Sequence, residues 1–323
     1  MTGESGKPAT PGLRKSSRRR EVLAGEASAA AAEVDRPTSV PDLTPESDPA
    51  LVPDPALAPD PAVVPDPTAA AFFDVDNTLM RGASIYHFAR GLAARGMFGP
   101  RDLARLTWGQ LAFRMRGAEN ADHIDAAREA ALAFVAGHRV EDIVRLGEEI
   151  YEDTMADRIW EGARELTQRH LEAGQRVWLV TATPVELAAI LARRLGLTGA
   201  LGTVSESADG VYTGRLLGGL LHGEAKAAAV RALARREGLD LSRSSAYSDS
   251  VNDMPMLQIV GHPNVVNPDP ELLAEARSRN WPVHDFRSGR KATMIALPVA
   301  AGAGAAAGGV AAALALRRRR ADG

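Results

Sequence analysis

The 323-residue sequence contains no cysteine, and its formal net charge is only -3 at pH 7. Without cysteine the chain has no disulfides, no thiolate zinc site and no cysteine nucleophile, and it suits a reducing compartment. The near balance of charge argues against bulk affinity for nucleic acid, so we expect no nucleic-acid partner. Aromatic residues are only 5% of the chain, but the 45% apolar content is sufficient for one sizeable core.

The N-terminus lacks the continuous apolar core of a signal peptide. Arg18–Arg20 is basic, but the alanine-rich stretch that follows contains Glu26, Glu33 and Asp35. The sequence therefore predicts a chain that is not secreted and whose folded domain is cytoplasmic.

Residues 1–68 are poor in aromatic side chains and rich in proline, alanine, serine and charge. This composition predicts a disordered extension. Three six-residue repeats between Val52 and Ala69 favour extended polyproline-type backbone, and hence a semi-rigid spacer. The basic cluster Arg14–Arg20 is interpreted either as part of a solvated tail or as a contact for anionic lipid or another acidic surface.

One α/β domain is expected over residues 69–288. A buried strand at Ala71–Phe73 is followed by a helical pattern from Ile85 to Gln168, after which strands and helices alternate. Alternating strands and helices predict a parallel sheet, with residues 69–84 and 169–288 as its core and residues 85–168 as a helical insert. The later strands are predicted at Gln175–Thr181, Ala200–Ser205, Ser245–Ser248 and Asn264–Asn267, the helices at Val185–Leu195 and Glu224–Glu237, and a hairpin turn at Asp209-Gly210.

Two carboxylates, Asp74 and Asp76, come directly after the first predicted strand and are followed by Thr78. An ionised carboxylate is able to attack phosphorus, and a second one nearby is able to carry the proton of the leaving group. Taken alone, the two residues are explained equally well as turn residues after a strand. Partners elsewhere in the chain decide between these interpretations.

Further polar residues are expected at the same edge of the sheet, because ligands bind beyond the carboxyl ends of parallel strands. Thr181 ends the second strand, Asp249 and Asp253 follow a later one, and Lys226 lies on the helix between them. Hydroxyl and ammonium donors suit a phosphate, and carboxylates suit Mg²⁺. Structural interpretations exist as well: a helix cap for Thr181, a solvated position for Lys226, and a favourable helix N-terminal pair for the two aspartates.

The combined pattern is similar to a known family. It consists of Asp74-Val75-Asp76-Asn77-Thr78, Thr181, Lys226 and Ser248-Asp249-Ser250-Val251-Asn252-Asp253. In order and spacing this set resembles the four motifs of the haloacid dehalogenase superfamily phosphatases, in particular the phosphoserine-phosphatase-like subfamily IB. The resemblance covers about residues 69–288 and implies a Rossmann-like parallel sheet core with an inserted α-helical cap, which residues 85–168 fit.

The resemblance implies the catalytic and metal-binding roles. Asp74 is the nucleophile that becomes aspartyl phosphate, and Asp76 is the acid that protonates the leaving alcohol and then activates water. Mg²⁺ is bound by the side chains of Asp74 and Asp249 and by the main-chain carbonyl of Asp76. These roles predict a phosphatase that hydrolyses a phosphate monoester.

The resemblance also implies how the phosphate is held. Thr181 and Lys226 bind the phosphate oxygens and neutralise charge in the transition state. Asn252 is a further phosphate-binding candidate, and Asp253 supports either the metal shell or Lys226. The expected cofactor is Mg²⁺, and the expected ligand is a small phosphorylated metabolite.

The substrate itself is less clearly marked. Phosphoserine phosphatases carry a glutamate soon after the first motif that reads the substrate amine, whereas the corresponding stretch here, Met80–Ser84, contains no acid. Arg81 and Ser84 favour instead an anionic or a neutral leaving group. Phosphoserine is therefore one candidate among several.

Residues 289–323 form a distinct tail, in which Ala292–Leu316 contains no charged residue and is followed by Arg317–Arg320. The stretch is long enough to span a bilayer, but alanine and glycine make its insertion marginal. A soluble or flexible tail and membrane attachment are the two interpretations. Attachment would make a phospholipid-derived phosphate monoester a candidate substrate, and a non-catalytic membrane-tethered regulatory protein is the alternative to an enzyme.

Overall fold

The computed structural model describes residues 11–32, 66–96 and 135–287. The chain divides into two units, Met1–Val283 and His284–Gly323. In the second unit the described residues are 284–287, where Arg287 pairs with Asp285 at 3.1 Å. The first unit contains the helices and the strands up to Val283.

Helices and strands alternate in the first unit, as the sequence predicts. The helices are α1 (Pro11–Ala31), α2 (Ser84–Ala94), α3 (Val140–Ile150), α4 (Glu161–Glu172), α5 (Val185–Arg194), α6 (Glu224–Glu237), α7 (Met254–Leu257) and α8 (Pro270–Ser278). The strands are β1 (Ala70–Phe73), β2 (Arg176–Pro184), β3 (Gly199–Thr203), β4 (Ser205–Ala208), β5 (Val211–Leu216), β6 (Ser245–Ser248), β7 (His262–Val266) and β8 (Val283–His284). A π-helical turn, Tyr151–Met155, and 3-10 turns at Ala156–Arg158, Leu241–Arg243 and Val251–Asp253 lie between them.

The main sheet has six strands in the order β3-β2-β1-β6-β7-β8. β1 lies between β2 and β6 and runs parallel to both, and β3 and β7 extend the parallel sheet on either side. The chain therefore builds one half of the sheet outward from β1 and then crosses back to build the other half. This confirms the predicted parallel α/β core, and such a reversal of strand order is where open α/β sheets bind their ligands.

β1 is buried on both faces of the sheet because all four of its residues are apolar. Phe72 joins a cluster that includes Trp178 of β2 and Leu233 of α6. Phe73 points to the opposite face, as successive strand residues do, and its ring stacks on Tyr247 with centroids 4.1 Å apart. A strand anchored on both sides holds its carboxyl end rigidly.

β4 and β5 form a separate antiparallel hairpin. Its turn residues Asp209 and Gly210 have φ values of 50° and 75°. A two-residue hairpin loop with both φ values positive is the arrangement that Asp-Gly favours. The predicted hairpin turn is thereby confirmed.

The prediction of a disordered extension over residues 1–68 is wrong for residues 11–31, which form α1 and pack on α6. Ala24 and Ala29 of α1 are buried, and Arg236 of α6 donates to the main-chain oxygens of Ala29 and Ala32. Composition suggested disorder because the buried face of α1 consists of small residues that add little to the mean hydropathy. Residues 33–65, which carry most of the proline-rich repeats, lie outside the described residues.

Gly25 sets the distance between α1 and α6. A Cβ atom at this position would lie 2.6 Å from Ala228 Cβ and 2.6 Å from the Ala229 main-chain nitrogen. Because the obstacle includes backbone, the helices would have to move apart. We expect Gly25→Ala to destabilise the protein by about 1–3 kcal/mol, measured as the free energy of unfolding in urea.

The expected sign is opposite to that of an ordinary helix position, where replacing Gly by Ala stabilises by roughly 0.5–1 kcal/mol. The exposed neighbour Glu26 provides the control, because Glu26→Ala should leave the unfolding free energy nearly unchanged. An increase in stability for Gly25→Ala would show that α1 does not pack closely on α6.

The predicted helical insert, Ile85–Gln168, is described only in part, because residues 97–134 lie outside the described residues. The segment that leaves the sheet for the insert lies next to the segment that returns from it. The Arg81 main-chain nitrogen donates to the Arg158 carbonyl at 2.9 Å, and the Trp160 main-chain nitrogen donates to the Leu79 carbonyl at 2.9 Å. α4 then contacts β1 and β2. The predicted end of the insert at Gln168 therefore falls within a helix that packs on the sheet, and the crossing near Arg158 is the better boundary.

In the described segments, no helix is both long enough and apolar enough to cross a membrane. The stretch for which a span was considered, Ala292–Leu316, lies outside those segments.

Candidate active site

The register of the parallel strands brings predicted site residues to one edge of the sheet. Phe73 of β1 lies opposite Leu179 of β2 and Tyr247 of β6. Thr181 and Asp249 each come two residues after those partners, so they lie on either side of the loop that continues β1. This loop carries the two carboxylates predicted to do the chemistry.

Lys226 is the buried cation of the site and lies in the first turn of α6. Its Nζ is 2.6 Å from Asp74 Oδ1 and 2.7 Å from Asp253 Oδ2. The three side chains are 5%, 7% and 3% exposed. Ser248 Oγ also donates to Asp253 Oδ2 at 2.7 Å, whereas Asp253 Oδ1 is buried without a hydrogen-bond partner. The solvated position considered for Lys226 is therefore wrong.

The Thr78 hydroxyl contacts the carboxylates that follow two neighbouring strands, β1 and β6. The hydroxyl lies 3.1 Å from Asp74 Oδ2 and 3.4 Å from Asp249 Oδ1. Thr78 itself is fully buried. Asp74 and Asp249 therefore face the same small space, although 175 positions separate them in the sequence.

The electrostatics of this space are dominated by an excess of negative charge. Burial, together with the neighbouring Asp253 and Asp76, raises the pKa of Asp74 to about 7 despite the opposing effect of Lys226. Burial and the charges of Asp74 and Asp253 raise the pKa of Asp249 to about 8. Burial acts to lower the pKa of Lys226, but Asp253 and Asp74 outweigh it and raise that pKa above its usual range. The lysine is therefore charged at neutral pH, and the carboxylates would gain from a further cation.

The loop after β1 has a defined conformation. The Val75 carbonyl accepts hydrogen bonds from the main-chain nitrogens of Leu79 and Met80, both at 3.0 Å. Asn77 has a φ of 60°, a left-handed conformation that asparagine tolerates better than most residues. Asn267 Nδ2 donates to the Asn77 carbonyl at 3.0 Å and so ties the loop to the residue that follows β7.

Asp76, the other carboxylate of the loop, is partly exposed and is held by Ser84. The main-chain nitrogen and the hydroxyl of Ser84 lie 2.8 Å and 2.5 Å from Asp76 Oδ1. Ser84 Oγ is also 2.5 Å from Thr183 Oγ1, and the Thr183 nitrogen donates to Thr181 Oγ1 at 3.2 Å. Ser84 is fully buried, and its expected preference for an anionic or neutral leaving group stays a prediction.

Arg81 was expected, together with Ser84, to favour an anionic or neutral leaving group, and this stays a prediction. Its guanidinium donates to the carbonyl of Asp157 and lies 5.3 Å from the ring centroid of Trp160. These contacts are made with the chain that returns from the insert. Arg81 therefore links the segment that enters the insert to the segment that returns from it.

The Asn252 side chain makes its hydrogen bond away from the carboxylates of Asp74 and Asp249. It is exposed, and its amide donates to Ser250 Oγ at 3.2 Å. Asp269 holds the loop that carries Asn252. The Asp269 carboxylate accepts a hydrogen bond from the Val251 main-chain nitrogen at 2.9 Å, and the Asp269 main-chain nitrogen donates to the Asp249 carbonyl at 2.8 Å. The role of Asn252 in phosphate binding stays a prediction.

The strand containing Thr181 is longer than predicted, because β2 continues to Pro184. Its pairing with β3 shifts register between Val180 and Pro184, so Thr181 lies in an irregular part of the strand. Thr181 is 1% exposed, and it does not cap α5, whose N-cap is Pro184. The helix-cap interpretation of Thr181 is therefore wrong.

Three comparisons place this geometry among known proteins. Residues 71–258 match the haloacid dehalogenase-like hydrolase family. The chain is 59% identical to phosphoserine phosphatase SerB1 of Mycobacterium tuberculosis over 237 residues, 73% of this chain and 77% of that protein. It is 30% identical to a histidinol-phosphatase of Neisseria meningitidis over 221 residues, 67% of this chain and 98% of that protein. A solved structure of a Bordetella pertussis protein of unknown function is 35% identical, covers 68% of this chain and 100% of that one, and has a TM-score of 0.61.

The parallel sheet, with carboxylates and a buried lysine at one edge, agrees with the hydrolase class to which the matching family belongs. The chain belongs to the haloacid dehalogenase-like hydrolase family. This confirms the family predicted from the motifs, and with it the enzyme class, a phosphatase.

Sequence reasoning assigned no role to three residues that build the site: Thr78, Thr183 and Ser248. Thr78 belongs to the first motif, so its presence was a usable signal. Thr183 follows Thr181 by two residues, but the 99 positions that separate it from Ser84 conceal their contact. Ser248 precedes Asp249 within the last motif, and only the structure shows that its hydroxyl contacts Asp253.

Proposed function

We propose that this protein is an Mg²⁺-dependent phosphomonoester hydrolase that works through an aspartyl-phosphate intermediate on Asp74. One observation carries the proposal. Asp74 lies at the carboxyl end of the central strand, 2.6 Å from the buried Lys226, and shares Thr78 with Asp249. The helices between β1 and α4 form the cap in this proposal.

In the first half-reaction, an oxygen of Asp74 attacks phosphorus and the bond between phosphorus and the ester oxygen breaks. Asp76 transfers its proton to the departing alkoxide, which leaves as an alcohol. Lys226 neutralises part of the charge on the phosphoryl oxygens, and Thr181 donates its hydroxyl to them. The products of this step are the free alcohol and the acyl phosphate of Asp74.

In the second half-reaction, Asp76 is ionised and accepts a proton from water. The water oxygen attacks phosphorus, and the bond between phosphorus and Asp74 breaks. Inorganic phosphate leaves, Asp74 is again a carboxylate, and Asp76 is again protonated. Covalent catalysis thus divides one slow hydrolysis into two easier steps.

The residues at the site fit a bound Mg²⁺. Asp74 and Asp249 supply two carboxylates, and the Asp76 carbonyl is the third protein ligand that we propose. The described residues contain no cluster of three or more His, Cys, Asp or Glu side chains arranged for a metal. Two carboxylates plus waters and a phosphate oxygen are nevertheless a usual Mg²⁺ environment. When bound, Mg²⁺ would neutralise the excess negative charge that otherwise opposes the approach of a phosphate dianion.

We propose a phosphate monoester of a small amino alcohol as substrate, with phosphoserine as the first candidate. Phosphoserine and histidinol phosphate, which the names of the two relatives indicate as substrates, each carry an amino group on the carbon next to the phosphorylated CH₂ group. Met80–Ser84 contains no acid to bind that ammonium. Recognition of the amine would therefore come from another part of the chain.

The function is tested by phosphate release from phosphoserine, histidinol phosphate, phosphoethanolamine and glycerol 3-phosphate, with and without Mg²⁺. We expect hydrolysis of the amino-alcohol esters that stops on addition of EDTA and returns with excess Mg²⁺. Preferential hydrolysis of glycerol 3-phosphate would contradict the substrate class. Release that persists in EDTA would contradict the metal dependence.

Mg²⁺ and protons should compete for Asp74 and Asp249. Because both pKa values lie above the ordinary value of 3.8, the metal-free folded protein binds more protons than the unfolded chain between about pH 4 and pH 8. Without metal its stability therefore falls as the pH rises through this window. Mg²⁺ binds the ionised carboxylates and should restore the loss.

We expect Mg²⁺ at about 100 times its Kd to raise the melting temperature by about 5–10 °C at pH 8, and by much less near pH 5.5. Thermal unfolding in EDTA and in MgCl₂ at the two pH values measures the effect. Asp249→Asn should lose most of the increase at pH 8. An equal increase at both pH values would show that these carboxylates are not the ligands.

A further inference from the structure

Ser84 makes an unusual pair of contacts with the proposed acid–base residue. It is the first residue of α2 and is 0% exposed. Its main-chain nitrogen and its hydroxyl lie 2.8 Å and 2.5 Å from the same oxygen, Asp76 Oδ1. Both donors converge on one side of the carboxyl group and leave Oδ2 for the substrate.

Thr183 completes the arrangement from the other side. Its Oγ1 lies 2.5 Å from Ser84 Oγ, and the residue is 4% exposed. Because an ionised carboxylate only accepts hydrogen bonds, Ser84 donates to Asp76 and Thr183 must donate to Ser84. The Thr183 main chain in turn donates to Thr181 Oγ1 at 3.2 Å. The acid–base residue is thus linked to the phosphate-binding threonine.

Neither hydroxyl is needed to begin a helix. The N-cap of α2 is Ala83 and that of α5 is Pro184, so Ser84 and Thr183 occupy other positions. Main-chain groups of these helices are therefore not the partners of the two side chains. The two buried hydroxyls instead form a chain of short contacts that ends at the Asp76 carboxyl group.

We propose that Ser84 and Thr183 are positioning residues that fix the Asp76 carboxyl group and place its catalytic proton on Oδ2. In a protonated carboxyl group the hydroxyl oxygen is the poorer acceptor, so two donors on Oδ1 direct the proton to Oδ2. That oxygen faces the leaving group in the first half-reaction and water in the second. The inference rests on the proposed function, since it assigns the orientation of its acid and base.

The proton delivered by Asp76 matters most for a poor leaving group. Serine leaves as an alkoxide unless it is protonated, whereas 4-nitrophenolate is stable without a proton. We expect Ser84→Ala and Thr183→Val to lower kcat for phosphoserine by about 10- to 100-fold, because a general acid contributes typically 10²–10⁴-fold and is here misplaced but present. KM should change by less than about twofold, because the phosphate-binding groups are retained.

A second measurement isolates the acid. The burst of 4-nitrophenolate from 4-nitrophenyl phosphate reports the first half-reaction alone, and its rate should fall by less than about threefold in both variants, since this leaving group needs little general-acid assistance. Thr183→Ser retains the hydroxyl and should restore kcat for phosphoserine to within about threefold of the wild-type value. This variant keeps the test decisive if Ser84→Ala does not fold.

Thr167→Val is the matched control, because Thr167 is 4% exposed and its hydroxyl donates within α4 to the Arg164 carbonyl at 2.8 Å. It should leave both substrates unaffected. Equal losses on phosphoserine and in the nitrophenolate burst, or no loss on either, would overturn the positioning role. If the wild-type protein hydrolyses neither ester, it is the proposed function itself that fails.

Discussion

Asp74→Asn is expected to lower kcat for phosphate release by about 10⁴-fold or more, because an amide does not attack phosphorus and no other carboxylate takes its position. Asp76 points toward Ser84, and Asp253 is occupied by Lys226 and Ser248. The substitution preserves the shape of the side chain, so the loss measures the nucleophile. Single-turnover assays with phosphoserine, at enzyme in excess, give the rate.

The variant should remain folded. Lys226 keeps its contact with Asp253 at 2.7 Å, and loss of the Asp74 charge removes repulsion from Asp249 and Asp253. We therefore expect the melting temperature in EDTA at pH 8 to be at least that of the wild type, as is common when a charged active-site residue is neutralised. An inactive but unfolded variant would leave the nucleophile unassigned, so both measurements are made on one preparation.

Asp209→Asn is the matched control, because it makes the same chemical change in the exposed turn of the β4–β5 hairpin. Asparagine also tolerates the left-handed conformation found there, so activity and stability should both be preserved. Residual activity of Asp74→Asn within about tenfold of the wild type would rule out Asp74 as the nucleophile.

The parts of the fold that were predictable have strong local signals. The predicted helix Glu224–Glu237 has the bounds that the structure shows, and glycines with positive φ, Gly223 and Gly238, flank it at both ends. The Asp209-Gly210 turn is specified by two residues whose left-handed conformations favour one loop type. In both places, neighbouring residues alone determine the backbone.

The helix α1 was not predictable from composition. Its buried face consists of small residues, and its stability comes from close approach to α6 at Gly25 and from Arg236, which binds two of its main-chain oxygens. Such contacts require a partner that lies about 200 positions further along the chain. A scale that averages hydropathy over a window does not detect them.

The candidate site divides in the same way. Asp74, Asp249 and Asp253 were found because carboxyl ends of parallel strands converge, which is a rule about topology. Lys226, which lies on a helix, was found only from its place among the motifs. The orientation of Asp76 was missed because it depends on which side chain of the loop turns inward. The buried hydroxyl of Ser84 contacts Thr183 Oγ1, 99 positions further along the chain, and no local pattern encodes that contact.

Lys226→Met should produce the second large effect, on activity and stability together. The substitution retains the length of the side chain but leaves Asp74 and Asp253 without the cation that lies 2.6 Å and 2.7 Å away. Breaking a buried ion pair on one side costs about 3–5 kcal/mol. We expect a loss of that size in the free energy of unfolding, measured in urea with EDTA at pH 8, and a fall in kcat of about 10²–10³-fold from the lost charge stabilisation.

A second substitution distinguishes the charge imbalance from a simple packing defect. In the double variant Lys226→Met with Asp253→Asn, one of the two uncompensated charges is removed, while Ser248 still donates to position 253. The double variant should therefore recover about 0.5–3 kcal/mol of the stability that the single variant loses, with no recovery of kcat. Arg231→Met, an exposed change on the same helix, should alter neither quantity. A double variant less stable than Lys226→Met would contradict the charge imbalance, because relief of a buried uncompensated charge should raise stability.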